Sequence, residues 1–121
     1  MLAYRPMPRL LAAALALGAA LALPAAAEEW RTIDAKLEPG AMEESCTSID
    51  AGDKRRYHWK SDAPVDFNIH FHKGAEILYS VKANAMRGDG GTFVAKDAGG
   101  YCWMWTARDK PARIEGRVEI K

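Results

Sequence analysis

The chain has 121 residues, of which 27% are charged, and its formal net charge at pH 7 is +1. This length accommodates a single domain. A balance of charge so close to zero provides no electrostatic footprint for nucleic acid. We therefore expect no nucleic-acid partner, and the chemistry of the chain has to be sought in its apolar pattern, its cysteines and its few histidines.

The N-terminal segment has the pattern of a secretory signal peptide. Arg5 and Arg9 precede an apolar run over residues 10–23, and small alanines follow at 25–27. A basic start, an apolar centre and an A-x-A end are the three parts of such a signal. The run is shorter than the roughly 20 residues that a membrane span needs, so an uncleaved anchor is the less favoured alternative. We predict a signal peptide over residues 1–27.

The remaining domain, residues 28–121, is predicted to be periplasmic or secreted and to have no transmembrane segment. It retains 15 basic against 16 acidic residues, and it contains both cysteines of the chain, Cys46 and Cys102. An even number of cysteines in an oxidising compartment favours a structural disulfide between them. Two free redox thiols are the alternative, but such pairs usually follow a C-x-x-C spacing.

Short alternating runs separated by turn residues dominate this domain, which indicates β-strands rather than helices. The clearest run has Val65, Phe67, Ile69 and Phe71 alternating with polar residues, as in a strand with one buried face. In chain order we predict strands at 30–37, around 46–49, and at 54–60, 65–72, 77–81, 92–95, 101–106 and 114–120. Turns are predicted at 39–40, 50–52, 61–64, 73–74 and 99–100, with a polar loop over 82–91.

Seven or eight short strands with turns every 8–12 residues are typical of an all-β fold. We therefore predict an antiparallel β-sandwich or jelly roll, held by one disulfide through its interior. Closing the long loop between Cys46 and Cys102 adds about 4 kcal/mol of stability by the chain-entropy relation.

Several segments resemble the GOLD (Golgi dynamics) domain, the lumenal part of early-secretory-pathway cargo receptors. The likeness covers about residues 43–120, and it lies in the segments Cys46, Gly52 before Tyr57-His58-Trp59, Phe67-Asn68-Ile69-His70 and Gly100-Tyr101-Cys102-Trp103. It implies a β-sandwich with bridged cysteines that binds other molecules. Vesicle transport is not implied, because the coiled-coil stalk and the membrane span of those receptors have no counterpart in this sequence.

Two histidines stand two residues apart on the clearest predicted strand. Residues at i and i+2 of a strand share a face, so His70, His72 and Asn68 are expected to project together. His58 joins them if the preceding strand pairs in a simple hairpin. Imidazoles are common ligands of Zn²⁺ and Cu²⁺. The set His58, His70 and His72 is therefore an alternative metal site, although outward polar residues of an amphipathic strand are the simpler interpretation.

The tryptophans near the second cysteine raise a separate question. Trp103 and Trp105 alternate with Cys102, so they point outward if Cys102 points inward to meet its partner. Exposed paired indoles are typical of a binding surface. The alternative is a central strand that is covered on both faces. We predict a contact surface formed by the outward residues His70, His72, Trp103 and Trp105.

Sequence motifs of catalysis are missing from the chain. It has no G-x-S-x-G elbow and no glycine-rich phosphate loop. We therefore predict an exported, non-catalytic binding or adaptor domain without a cofactor, which recognises a protein or lipid partner in the cell envelope. The alternative is an envelope protein that binds copper or zinc through surface histidines. A carbohydrate-binding module that stacks sugars on its tryptophans is a weaker possibility.

Overall fold

The computed structural model describes residues 28–121, together with residues 2–3, 15–16 and 18–20. The predicted signal peptide falls mostly outside the described residues and stays a prediction. The described domain contains six β-strands: β1 (Trp30–Leu37), β2 (Met42–Ile49), β3 (Lys54–Lys73), β4 (Glu76–Val94), β5 (Gly99–Ala107) and β6 (Ala112–Glu119). The all-β antiparallel class is confirmed, whereas the count of seven or eight strands is wrong.

The strand count is lower because β3 and β4 each join two of the predicted strands into one. The predicted turn over 61–64 lies inside β3, at an irregularity in its pairing with β4 between Lys60 and Val65. Pro64 cannot donate to a strand ladder, and sheets accommodate proline at such irregular positions. The turn residues therefore bend β3 without ending it.

The predicted loop over 82–91 is also strand, because β4 pairs with β3 along almost its whole length. Its glycines are poor strand formers on their own. Opposite β3 they fit, since Gly90 faces His58 and Gly91 faces Tyr57 across the ladder. Tertiary pairing thus overrides the local preference of this segment for a loop.

The six strands form one curled antiparallel sheet rather than two separate sheets. Its hydrogen-bonded order is β1-β6-β3-β5-β2, with β4 paired to the other edge of β3. The first half of β3 pairs with β6, and its second half pairs with β5. The long β3–β4 hairpin consequently runs through both halves of the sheet.

The core lies where the two halves of the bent hairpin face each other. The ring of Trp59, from the first half of β3, lies 5.0 Å from the ring of Phe67, from the second half. Trp105 of β5 completes this group, with its ring centroid 5.7 Å from that of Phe67. Aromatic pairs at such separations stabilise a core beyond the area that they bury.

On one side, the edge strands of the two halves are joined by side chains. The Arg31 guanidinium of β1 donates to Ser45 Oγ at 3.0 Å and to the carbonyl of Cys46 at 2.8 Å, both on β2. Thr47 Oγ1 of β2 donates to the carbonyl of Ile120, just after β6, at 3.2 Å. These contacts close the curl at β1 and β2 and leave β4 as the strand at the opposite side.

Candidate functional site

The outer face of the second half of the sheet brings together residues from three strands. Cys46 on β2 is opposite Cys102 on β5, and Cys102 is in turn opposite His70 on β3. In the neighbouring row, Glu44 and Asn68 lie on either side of Met104. The register of the sheet therefore places a carboxylate, an amide and a histidine beside the two cysteines.

His70 is the centre of this cluster. Its side chain is only 5% exposed. Its Nδ1 lies 2.7 Å from Asn68 Oδ1, and its Nε2 lies 3.1 Å from His72 Nε2 and 3.1 Å from Glu44 Oε1. We call Glu44, Asn68, His70 and His72 the histidine cluster.

The hydrogen bond to Asn68 fixes which nitrogen of His70 carries a proton. An amide oxygen only accepts, so Nδ1 of His70 must donate to it. Nε2 is then the atom that faces His72 and Glu44, and in the neutral ring it presents a lone pair to them. The cluster thus aims two imidazole nitrogens and one carboxylate oxygen at a shared space.

The predicted role of His58 beside these histidines is wrong. His58 lies in the first half of β3, where its Nε2 accepts a hydrogen bond from Arg117 Nε at 3.4 Å. The two segments that the hairpin requires are consecutive halves of one strand, and they are not paired with each other: opposite their shared partner β4, the first half pairs with β6 and the second with β5. Among the described residues, the group of potential metal ligands around His70 does not include His58.

The prediction that the two tryptophans point outward is also wrong. Trp103 and Trp105 are both 0% exposed and belong to the core. The premise failed because Cys102 points to the outer face of β5, so alternation sends both indoles inward. The predicted surface of His70, His72, Trp103 and Trp105 is therefore divided between opposite faces of the sheet.

The disulfide between Cys46 and Cys102 is confirmed, but it lies elsewhere than predicted. The two residues are directly opposite each other on the neighbouring strands β2 and β5. The bridge therefore joins two strands across one ladder on the outer face, rather than two sheets through the interior. It lies next to the histidine cluster, since Cys102 is opposite His70.

Sequence reasoning missed Glu44, which stands 26 residues before His70 in the chain. A signal for it existed in the cysteines. Once Cys46 is placed opposite Cys102, antiparallel pairing puts Glu44 opposite Met104, one row from the cysteine pair and on the same face. Pairing of β5 with the strand that carries Asn68 and His70 would then have completed the cluster.

The end of β4 next to the cluster is apolar and exposed. Ile77, Leu78 and Tyr79 are 50%, 45% and 51% exposed, respectively. They lie on β4 opposite His72, Phe71 and His70. Among the strands that the structure describes, β4 pairs only with β3, so its other edge is free. We call Ile77, Leu78 and Tyr79 the β4 apolar edge.

A groove runs along the inner side of this edge. Its volume is about 430 Å³, which falls in the usual range for binding sites. Its lining includes Leu78 and Ser80 from one end of β4 and Phe93 and Val94 from the other, with Phe71, Tyr101, Lys96 and Asp97. The curl of the sheet therefore brings the two ends of β4 to one partly apolar groove.

Asp66, at the bend, and Tyr57, in the first half of β3, have pKa values displaced from their usual ranges. Burial disfavours the ionised form of Asp66, but hydrogen bonds from the Ala85 amide and the Arg108 guanidinium outweigh it and lower the pKa of this carboxyl. Burial, together with the nearby Asp89, raises the pKa of the Tyr57 hydroxyl. Neither group belongs to the histidine cluster.

No helix in the described part of the chain has the length and apolar character to cross a membrane.

Two solved structures are similar to this chain in fold. The mitogen derived from Yersinia pseudotuberculosis aligns with a TM-score of 0.59 and 6% sequence identity, over 78% of this chain and 88% of that one. Aeromonas hydrophila PliG, a periplasmic inhibitor of g-type lysozyme, aligns with a TM-score of 0.53 and 13% identity, over 83% of this chain and 93% of that one. At such identities the likeness shows the fold alone.

No protein-family model and no curated protein match the chain. The resemblance to the GOLD domain therefore stays a prediction.

Proposed function

We propose that the chain is an exported, non-catalytic domain that binds a protein partner through the β4 apolar edge. One observation carries this proposal. Three consecutive large apolar side chains, Ile77, Leu78 and Tyr79, are each about half exposed on a strand whose second edge has no partner strand in the described domain.

An exposed apolar edge strand is unfavourable for a protein that stays alone. Natural sheets usually shield their edges with charges, prolines, bulges or a covering segment, since a free edge can pair with another chain. Here Ile77, Leu78 and Tyr79 include no charged residue and no proline. The protecting features come only after them, as an irregularity in the pairing at Ser80 and the ammonium of Lys82, which lies 4.8 Å from the centroid of the Tyr79 ring. A partner that adds a strand or an apolar segment to this edge would cover it.

The fold relatives support a protein as the partner. Aeromonas hydrophila PliG is a lysozyme inhibitor, and an inhibitor of this kind acts by binding another protein. The resemblance to the GOLD domain also favours binding without turnover. The disulfide supports an oxidising compartment, because such bridges persist outside the cytoplasm.

The first test is site-specific photo-crosslinking of the full chain in its own envelope. A photoreactive residue at Leu78 is expected to give a discrete adduct of higher mass that protease removes. The same residue at Lys110, which is exposed in the turn between β5 and β6, is the matched control and is expected to give none. No adduct from Leu78, or an adduct with lipid in place of protein, would contradict the proposal.

A second test measures affinity with purified partners. The crosslinked protein is titrated with the wild type, with L78S and with M42S, which changes an exposed apolar residue on β2 as the control. Purified g-type lysozyme is titrated in the same way, because PliG, which has a similar fold, inhibits it. We expect L78S to weaken binding by about tenfold or more, the loss of one buried apolar side chain, and M42S to leave it unchanged.

A further inference from the structure

We propose that Glu44, His70 and His72 form a binding site for a divalent cation of the zinc and copper class. This goes beyond partner binding by the β4 apolar edge. The three side chains come from β2 and β3, and their ligand atoms lie within 4.8 Å of one another. Imidazole and carboxylate are ligands that both metals accept.

The spacing of the ligand atoms fits one metal ion. His70 Nε2 lies 3.1 Å from both His72 Nε2 and Glu44 Oε1. Ligands about 2.0–2.1 Å from a tetrahedral Zn²⁺ are separated from each other by about 3.3 Å. Both distances from His70 are thus within a few tenths of an ångström of the separation that a bound ion requires, and the remaining pair, Glu44 and His72, lies within 4.8 Å.

The hydrogen bonding of His70 also fits a cation at this place. Its Nδ1 lies 2.7 Å from Asn68 Oδ1 and donates to it, so Nε2 is the nitrogen that faces Glu44 Oε1 at 3.1 Å. A ring nitrogen and a carboxylate oxygen are thus directed at one place, and both are donor atoms that a metal ion accepts.

The surroundings resemble those of open metal sites. A ligating histidine usually donates its other N–H to a neighbouring oxygen, which fixes the ring and its tautomer. Asn68 provides this oxygen to His70, which is almost fully buried, whereas His72 is exposed. Cys102 lies close enough to ligate, but its sulfur is committed to the disulfide. Three protein ligands leave a fourth position open to water or to a group from a partner.

The test is titration of Zn²⁺, and separately of Cu²⁺, into the full chain purified with its disulfide intact. We expect saturable uptake of one ion per chain. H72A and E44Q should weaken affinity by more than about 100-fold, because loss of a direct ligand exceeds the roughly 10–100-fold effect of an outer-shell partner. N68A should fall within that 10–100-fold range. H58A removes the histidine in the other half of β3 and is the matched control, with affinity unchanged.

Copper gives an independent readout. The electron paramagnetic resonance spectrum of the Cu²⁺ form should show coupling to two nitrogens in the wild type and to one in H72A. Circular dichroism in the presence of a chelator checks that the variants fold. We expect H72A to fold because His72 is exposed, and E44Q to fold because glutamine has nearly the same shape as glutamate. The proposal is overturned by uptake of neither metal, by H72A binding as tightly as the wild type, or by H58A losing as much affinity as H72A.

Discussion

Asp66 holds the irregular part of the long hairpin through two hydrogen bonds. Its Oδ1 accepts from the Ala85 amide at 3.1 Å and from Arg108 Nη1 at 2.6 Å. Ala85 has a φ of 55°, in the left-handed region that disfavours residues with a Cβ. The register of β3 and β4 shifts between Val65 and Phe67, on either side of Asp66. The carboxylate thus stabilises a backbone conformation that the local sequence does not favour.

The lowered pKa of Asp66 predicts a stability that depends on pH. A carboxyl whose pKa is lower in the folded state stabilises the fold above its unfolded pKa of about 3.9, and this contribution is lost as the pH falls through the folded pKa. We expect D66N to be less stable than the wild type at about pH 6, and the difference to be smaller at about pH 3. The difference should stay below about 1 kcal/mol, because the pair is solvent-exposed. Urea unfolding at both pH values measures it.

The matched control is D109N, which changes an exposed carboxylate in the turn between β5 and β6. A gap between D66N and the wild type that is the same at both pH values would show that the ionised form has no special role.

Gly116 marks a close approach of β6 to β3. A Cβ there would meet the carbonyl oxygen of His58 and would lie 2.7 Å from Trp59 Cα. Both are backbone atoms of the central strand, which cannot move away without disturbing the ladder. We expect G116A to lower the free energy of unfolding by roughly 1–3 kcal/mol, as overpacking does. Denaturant unfolding is the measurement.

Gly91 is the control for Gly116, since it also lies in a ladder beside β3 but has open space at its Cβ position. G91A should be neutral or stabilising by up to about 1 kcal/mol, because alanine restricts the unfolded chain. Equal effects of the two substitutions would contradict the steric explanation.

Among the secondary-structure elements, those with clean alternation were predictable. The first strand and the strand from Val65 to Phe71 were confirmed because their apolar residues recur with period two, and these apolar residues meet the core. The continuity of β3 and β4 was not predictable, since Pro64 and the glycines of β4 are turn residues by local preference. Their conformation depends on pairing between segments that are distant in the sequence, which a single sequence does not reveal.

The disulfide is the strongest constraint between two elements. It closes a loop of 56 residues between β2 and β5, for which the chain-entropy relation gives about 4 kcal/mol. We expect the double variant C46S/C102S to lose roughly 2–4 kcal/mol in urea unfolding. Reduction of the wild type is the companion measurement and should reproduce the loss. An unchanged midpoint after both treatments would show that the bridge contributes nothing to stability.

For the molecule as a whole, the sequence predicts export. We expect the intact mass of protein recovered from the periplasm or the medium to begin at Glu28, since small residues at 25–27 fit signal peptidase. A25L/A27L should block processing and retain the apolar run over 10–23. Exported wild type that still carries this run would contradict the prediction.

About half of the candidate site was foreseeable, for reasons that concern the whole topology. His70 and His72 lie on the same face of β3, as their spacing predicted, although His70 is buried there. Glu44 comes from β2. It reaches the histidines of β3 because only one strand, β5, lies between β2 and β3 in the sheet. The tryptophans were misplaced because the bridge was assumed to lie inside. Which face is inner depends on the curl of the entire sheet, and that is not a local property of β5.

The β3–β4 hairpin belongs to both halves of the sheet, and this determines how the molecule unfolds. Each half of the sheet is completed by part of β3 and part of β4. Unfolding at the bend would therefore expose the core face of both halves. Trp59 and Ile69, on either side of the bend, should therefore exchange their amide hydrogens in the same opening event. Calorimetry should accordingly record one melting transition.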